Sequence, residues 1–379
     1  MARYRFLSAA VAAAALLIAA ASAQAKVIKV NPGGSIQAAV DEANPGDTVL
    51  VAPGTYTEAG RPCPAEPTNT CAVAISKDDI SVVGQSGNAA TLQAASGQDV
   101  GIGVAQTDDP SCLTDPTLRV HGSLLSGLTV QGFGDDGVLL FCVDGWRISD
   151  LVSRDNDEYS IFPSHSFNGR LDHSFASGAH DTGMYIGQSF NSRMDHNVAT
   201  RNVSGYEIEN SIGVTADYNV AFKNTGGILS FTLPFLDAKV NSGNVIEHNV
   251  VHHNNAPNEC SGGTVCEVPS GTGILVLAAD SNEVRENLVT GNKSFGIAVA
   301  NICVAQQLPP DVCAALDIEP NPDDNRITFN TVLGNGTNPD PILPPMFAVD
   351  LAWDGTGTGN CWSNNVFNTF FPPPALPSC

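Results

Sequence analysis

The sequence predicts an all-β protein folded as a single-stranded right-handed parallel β-helix, a solenoid of coils of about 23 residues. Similar segments recur along the middle of the chain at steps of 23 or 22 residues, and short alternating strands lie between them. A period of this length without helices fits three short strands per coil, stacked by parallel pairing. The Leu-x-x-Leu-x-Leu frame of leucine-rich repeats is absent, and a propeller blade needs about 40 residues.

The repeated segments keep one frame along the chain. They are DLVSRDN, HSFASGA, HNVATRN, YNVAFKN, HNVVHHN, ENLVTGN and FNTVLGN. Later steps are longer because of two insertions, residues 255–270 and 302–324. Paired asparagines recur at one spacing, and we expect them to stack at the turns and satisfy backbone groups rather than bind a substrate. These pairs are Asn197/Asn202, Asn219/Asn224, Asn249/Asn254, Asn287/Asn292 and Asn330/Asn335.

The N-terminus predicts a secretory signal peptide over residues 1–25. Arg3 and Arg5 precede a short apolar run that ends in Ala23-Gln24-Ala25, and we expect cleavage near Ala25. A retained membrane anchor is the alternative, and no later stretch is long or apolar enough to span a bilayer. We therefore expect a secreted or periplasmic chain that is free of the membrane after cleavage.

Residues 26–379 predict a single β-helix domain with a cap at each end. Within the N-terminal cap, residues 26–60, SIQAAVDEA places apolar residues at helical spacing behind a Ser35 N-cap. This short helix would cover the open edge of the first coil. Regular coils follow over residues 120–337, and the Pro-rich residues 338–379 form the C-terminal cap.

Ten cysteines and a strong acidic charge agree with export. An even cysteine count in an exported chain indicates disulfides, and pairing between sequence neighbours is the simplest connectivity, although sequence does not determine it. The neighbour pairs are Cys63/Cys71, Cys112/Cys142, Cys260/Cys266, Cys303/Cys313 and Cys361/Cys379. Acidic residues number 39 against 17 basic ones, which excludes a nucleic-acid partner and is compatible with calcium.

Four segments, GMYIGQS, GYEIENS, NTGGILSFTLP and PSGTGILVLA, resemble those of exported bacterial parallel β-helix repeat proteins of the pectin-lyase-like superfamily. The resemblance extends from about Val27 to Thr337 and implies the fold and export. It does not imply a reaction, because the superfamily includes polysaccharide lyases, hydrolases, epimerases and non-catalytic proteins.

One column of carboxylates is a candidate metal site. Residues 23 apart stack in consecutive coils, which places Asp135, Glu158 and Asp181 about 5 Å apart. Such carboxylates repel one another unless they are protonated or neutralised, and calcium would neutralise them. The alternative is that they are turn residues in solvent. No other cofactor is indicated.

The neighbouring strand carries the candidate catalytic surface. Alternation along GMYIG and GYEIEN points Tyr185, Glu207 and Glu209 out of the coil, with the two glutamates about 6.5–7 Å apart, near the range of paired glycosidase carboxylates. The catalytic candidates are Tyr185, Glu207, Glu209 and His165, and the substrate-binding candidates are Phe162, Gln188, Asn210 and Phe231. The inward residues of these strands are Met184, Ile186, Tyr206 and Ile208. A face covered by a loop, or simply solvated, is the alternative.

Two functions remain open from the sequence. The first is a carbohydrate-binding protein acting as a lyase or epimerase on uronic-acid polymers, with extracellular or cell-wall polysaccharide as partner and a long open groove along the coils. The second is a non-catalytic periplasmic or surface scaffold that binds a glycan or a partner. The sequence has no HExxH, GxSxG or phosphate-loop motif, which argues against a metalloprotease, an α/β-hydrolase or an NTPase.

Overall fold

The computed structural model describes residues 25–379, and the predicted signal peptide lies almost entirely outside them. The chain winds into a solenoid in which each coil contributes one strand to each of three parallel sheets. The predicted β-helix is confirmed, with three helices and four 3₁₀ turns in the described residues. The helices and turns are Ile36–Glu42, Ile302–Ala305, Pro310–Cys313, Pro110–Leu113, Pro116–Leu118, Thr264–Glu267 and Pro345–Phe347. None of the helices between residues 25 and 379 is long and apolar enough to cross a membrane.

The three sheets run the length of the solenoid, and among residues 25–379 only the strands Arg61–Pro62 and Thr70–Ile75 pair in antiparallel fashion. The first sheet contains Val27–Val30, Thr48–Val51, Ile80–Gly84, Val120–Ser126, Val143–Ser149, Arg170–Asp172, Arg193–Asp195, Thr215–Asp217, Val245–Glu247, Glu283–Arg285, Arg326–Thr328 and Cys361–Ser363. The second contains Gly54–Tyr56, Ala90–Gln93, Leu128–Gln131, Val152–Arg154, Phe175–Ser177, Val198–Thr200, Val220–Phe222, Val250–His252, Leu288–Thr290 and Thr331–Leu333. The third contains Arg61–Pro62, Thr70–Ile75, Val100–Val104, Val138–Phe141, Ile161–Ser164, Thr182–Gly187, Ser204–Glu209, Gly226–Phe231, Thr272–Leu277, Phe295–Ala300, Leu351–Trp353 and Phe370–Phe371.

The core is a set of apolar columns inside the solenoid. In the third sheet, consecutive coils place in register Ile161, Met184, Tyr206, Ile228, Ile274, Ile297 and Leu351. All of these side chains are buried, as are Ile186 and Ile208. The alternation predicted for these strands is therefore confirmed, and it determines which side chains point away from the core.

Stacked asparagines satisfy the turns, as the sequence predicts. The amide oxygen of Asn219 accepts the backbone N–H of Asn197 at 3.0 Å, and the amide nitrogen of Asn219 donates to the carbonyl of Met194 at 2.9 Å. Asn202 and Asn224 repeat the pattern at the other turn. A third ladder, which the sequence analysis did not identify, consists of Asn244, Asn282, Asn325 and Asn360. These bonds hold consecutive coils in a fixed register.

Both ends of the solenoid are closed. The helix Ile36–Glu42 buries Ile36 and Val40 against the first coil, and the Ser35 hydroxyl accepts the Ala38 N–H at 2.9 Å, as predicted. At the other end, the disulfide Cys361–Cys379 holds the C-terminal segment against the last coil. All five neighbour pairings of cysteines are confirmed.

Candidate functional site

The outer face of the third sheet is covered rather than open. Segments inserted between coils cross this face, and two of them are closed by the disulfides Cys260–Cys266 and Cys303–Cys313. Their apolar residues pack on Leu229 and Phe231 in a cluster separate from the core. Between the sheet and these segments lies a cavity of about 420 Å³, called here the covered cavity. The long open groove expected of the first function is therefore replaced, along this part of the sheet, by a partly covered cavity.

Three carboxyl groups line one end of the covered cavity. They belong to Asp181, Glu207 and Glu209, which are only 7 %, 4 % and 8 % exposed. Asp181 precedes Thr182–Gly187, and both glutamates lie on the adjacent strand Ser204–Glu209. Glu207 and Glu209 point out of the coil, as predicted, but the covering segments bury them.

The carboxyl groups meet an apolar wall. The next strands of the sheet place Leu229 and Leu275 in line with Glu207, and Phe231 and Leu277 in line with Glu209. Insertions supply the opposite wall, including Val265, Val268 and Phe347. The cavity thus combines an acidic end with an apolar body, an arrangement common in small-molecule and substrate sites.

Tyrosines surround the carboxyl groups. Tyr159 lines the cavity, and its ring centroid lies 4.2 Å from Phe162 and 5.4 Å from Tyr185. Tyr185 is 3 % exposed and is not among the described residues that line the cavity, and it hydrogen-bonds to Glu209. Tyr185 is therefore placed to hold Glu209, while the catalytic role predicted for it from the sequence stays a prediction.

Burial separates the protonation states of the three carboxyls. It raises the pKa of Glu207 well above its ordinary value, and the neighbouring Asp181 charge adds to the effect. Burial also raises the pKa of Glu209 to about 7, against the hydrogen bond from Tyr185, and that of Asp181 to about 6, against the hydrogen bond from Thr182. Near neutral pH, Glu207 can donate a proton while Asp181 can accept one.

Three predicted site residues hold a covering segment instead of lining the cavity. The Gln188 side-chain oxygen accepts the N–H groups of Asp237 and Ala238 at 2.9 and 3.1 Å. Asn210 donates to the carbonyls of Leu233 and Ala238 at 2.8 and 2.7 Å. The ring nitrogen Nε2 of His165 lies 3.1 Å from Asp237 Oδ2. All three therefore bind the segment that follows Gly226–Phe231.

The predicted carboxylate column is present in the backbone, and the Glu158 carboxyl lies beside that of Asp135. The N–H of Glu158 donates to the carbonyl of Asp135 at 2.9 Å, and that of Asp181 to the carbonyl of Glu158 at 3.1 Å. Asp181 lines the covered cavity, whereas a carboxylate oxygen of Asp135 lies close to Glu66 and Asp136. The structure thus does not bring Asp135, Glu158 and Asp181 together as one three-ligand group.

The sequence analysis missed Tyr159, Glu66 and the opposite wall of the cavity. Tyr159 directly follows Glu158 in the sequence, and only the carboxylate of that pair belongs to the predicted column. Glu66 and the wall residues lie in segments without a repeat. The closely spaced cysteine pairs at Cys260 and Cys303 were the sequence feature that could have indicated the opposite wall. Each pair marks an insertion that a disulfide holds in a fixed shape.

Comparisons with known proteins support the fold. A family described as "right handed beta helix region" matches residues 125–304. The A-module of the mannuronan C-5 epimerase AlgE4 from Azotobacter vinelandii is similar in structure, with TM-score 0.60 and 16 % identity over 91 % of this chain and 95 % of that chain. A tailspike protein of E. coli bacteriophage HK620, solved in complex with a pentasaccharide, has TM-score 0.64 and 9 % identity over 90 % of this chain and 60 % of that one. The periplasmic alginate epimerase AlgG has TM-score 0.51 and 12 % identity over 91 % and 73 %. No curated protein matches the chain in sequence.

Proposed function

Because this chain is a right-handed parallel β-helix protein with a pectin-lyase-like fold, we propose that it is a carbohydrate-active enzyme that works by acid–base chemistry. The observation that carries the proposal is the burial of Asp181, Glu207 and Glu209 at one end of the covered cavity. Buried carboxyls with separated protonation states are costly to maintain and concentrate at functional sites. The five disulfides support a location outside the cytoplasm, because disulfides persist in oxidising compartments.

The residues support hydrolysis of a glycosidic bond. Glu207 would give its proton to the leaving oxygen as the bond to the anomeric carbon breaks. Asp181 would take a proton from the water whose oxygen forms the new bond to that carbon. Glu209 ionises near neutral pH, and its charge would influence whether the neighbouring carboxyls of Glu207 and Asp181 are protonated. The flat apolar wall, including Phe231, would pack against a sugar ring.

Charge favours a neutral or amino sugar as substrate. Among the residues that the structure describes, none that lines the covered cavity is Lys, Arg or His. A uronate carboxylate would therefore lie beside acidic groups without a fixed positive charge to offset the repulsion. The net charge of −22 opposes the approach of an anionic polymer as well.

A uronic-acid lyase or epimerase is the second candidate, and the protonated state of Glu207 favours it. A neutral carboxyl can donate a hydrogen bond to a uronate carboxylate, so that a base such as Asp181 could remove the adjacent C–H proton. The epimerases with this fold are named for such polymers. Loss of the leaving oxygen would then make the reaction a lyase, and reprotonation from the other face an epimerase.

The test is a screen of the purified protein on neutral, amino-sugar and uronate polysaccharides, with calcium and with chelator. We expect new reducing ends from a neutral or amino-sugar polymer. Glu207→Gln should reduce the rate about 10²–10⁴-fold, because it removes the proton donor. Glu259→Gln is the matched control, since Glu259 is an exposed carboxylate in a covering segment and is not among the described residues that line the cavity.

The other outcomes are separable. Unsaturated products, or inversion at C5 of a uronate seen by NMR, would replace hydrolysis with the second candidate. Saccharide binding without any product would indicate the non-catalytic binding protein. Neither product nor binding on any polysaccharide would contradict the carbohydrate proposal.

A further inference from the structure

A second acidic group lies outside the covered cavity, where an N-terminal loop meets an early coil. Glu66 belongs to the loop between Arg61–Pro62 and Thr70–Ile75, which the disulfide Cys63–Cys71 closes. Asp135 and Asp136 lie in the turn before Val138–Phe141. One carboxylate oxygen of each of the three residues lies within 4.8 Å of the other two. The fold brings these groups together from distant parts of the sequence.

Asp136 is the member whose position needs an explanation. Its side chain is 2 % exposed, and its oxygen Oδ1 has no hydrogen-bond partner among the described residues. A buried polar atom without a partner costs about 1–3 kcal/mol, and more when the group is charged. Within residues 25–379, no ion pair includes Glu66, Asp135 or Asp136.

The surroundings supply one neutral donor and additional negative charge. The Asn69 amide nitrogen donates to Glu66 Oε2 at 2.9 Å and to Asp135 Oδ2 at 2.8 Å. Glu158 lies beside Asp135 in the next coil and adds a fourth carboxyl. Burial, followed by repulsion from Asp135, raises the pKa of Glu66 and that of Asp136. The cluster of Glu66, Asp135 and Asp136 therefore has room for a cation, and its surroundings supply no positive charge.

We propose that Glu66, Asp135 and Asp136 bind a calcium ion. Calcium takes 6–8 oxygen ligands at about 2.3–2.6 Å, so two oxygens on one ion stand at most about 5 Å apart. The separation of these three oxygens is within that limit. Asp136 also has an oxygen without a hydrogen-bond partner among the described residues, which is available to bind the ion. Water would complete the shell. The bound ion would connect the disulfide-closed loop to the coil. Asp135 is the only residue of the carboxylate column predicted from the sequence that belongs to this site.

The test is calorimetric titration of the chelator-treated full chain with calcium chloride, together with thermal unfolding with and without the ion. We expect one tight site and a higher thermal midpoint with calcium, because an ion that binds only the folded chain stabilises it. Asp136→Asn and Glu66→Gln should weaken binding at least about 100-fold. Glu286→Gln is the control and should bind calcium as tightly as the unmodified chain does. Glu286 belongs to a second cluster of close ligand atoms, Glu247, His248 and Glu286, which is more exposed than the proposed site.

The variants also report on folding. Without calcium, Asp136→Asn should have a higher thermal midpoint than the unmodified chain, because it removes a buried carboxyl group that lies among other acidic side chains. Glu66→Gln changes a half-buried loop residue and serves if Asp136→Asn does not fold. Absence of binding up to about 10 mM calcium would overturn the proposal, as would unchanged binding in both variants. Equal binding of magnesium would overturn the calcium assignment.

Discussion

The ring of Tyr185 occupies the space that a side chain at Gly187, two residues further along the same strand, would need. A Cβ atom on Gly187 would lie 1.8 Å from the Tyr185 hydroxyl oxygen. Glu209 is in register with Gly187 on the adjacent strand. The absence of a side chain at position 187 therefore lets Tyr185 lie flat along the sheet and reach the Glu209 carboxyl, which it hydrogen-bonds.

Gly187→Ala should displace Tyr185 and thereby change the acidity of Glu209. The added methyl overpacks the site, at a cost of about 1–3 kcal/mol in unfolding free energy. Because the hydrogen bond from Tyr185 lowers the pKa of Glu209, its loss should move the corresponding limb of the activity profile to higher pH. Tyr185→Phe should produce the same shift. The measurement is the pH dependence of kcat/KM on the substrate identified by the screen.

Gly262→Ala is the control for that substitution. Gly262 has open space around a Cβ atom and lies in a covering segment. We expect it to leave both stability and the pH profile unchanged. If Gly187→Ala and Tyr185→Phe also kept the original profile, Tyr185 would have no positioning role.

Stability should fall as the pH rises from about 4.5 to about 7. In the unfolded chain Glu209 loses its proton near its ordinary pKa of 4.5, whereas in the folded chain it does so near 7. Between these two pKa values the folded chain keeps a proton on Glu209 that the unfolded chain has lost. The stabilisation of the folded state from this proton is therefore complete below the lower pKa and is lost as the pH rises through the upper one. The loss from this group is about 3 kcal/mol, at about 1.4 kcal/mol per pH unit. Asp181 and Glu207 face Glu209 and contribute in the same direction, whereas Tyr185 keeps its proton throughout this range because its pKa is raised above 10; Glu267 and Asp354 also line the cavity.

Denaturant unfolding at pH 5, 6, 7 and 8 in calcium-free buffer measures this slope. Glu209→Gln cannot ionise and should flatten the curve, while Glu267→Gln should keep it. A curve for Glu209→Gln as steep as that of the unmodified chain would show that Glu209 does not titrate in this range.

Asn210→Gly should release the segment that follows Gly226–Phe231. Three hydrogen bonds between Asn210 and this segment would be lost, at a net cost of about 1 kcal/mol each. Glycine is chosen because Asn210 has a φ of 44°, in the left-handed region that other residues adopt at a cost. Hydrogen exchange should become at least about tenfold faster at the amides of residues 232–240.

Asn191→Gly is the matched control, because Asn191 is exposed and has a similar φ of 52°. It should leave exchange in residues 232–240 unchanged. Unchanged exchange in Asn210→Gly as well would mean that other contacts hold the segment, and would leave Asn210 available for the substrate-binding role predicted from sequence.

The sequence by itself determined the features that repeat from coil to coil. Strand alternation is local, so it correctly pointed Met184 and Ile186 inward and Glu207 and Glu209 outward. Two of the three asparagine ladders followed from spacing alone, because in a solenoid a fixed step in sequence becomes a fixed step in space. The disulfide pairs were short-range and could be read in the same way.

Only the tertiary structure decided what the outward side chains meet. The insertions that cover Glu207 and Glu209 have no period, so nothing in the repeat predicts that they fold back over the third sheet. Burial under them separates the protonation states of the carboxyls. The approach of Glu66 to Asp136 depends on a non-repeating loop in the same way. Periodic sequence thus determines the scaffold, whereas contacts between non-periodic segments determine the chemistry of the sites.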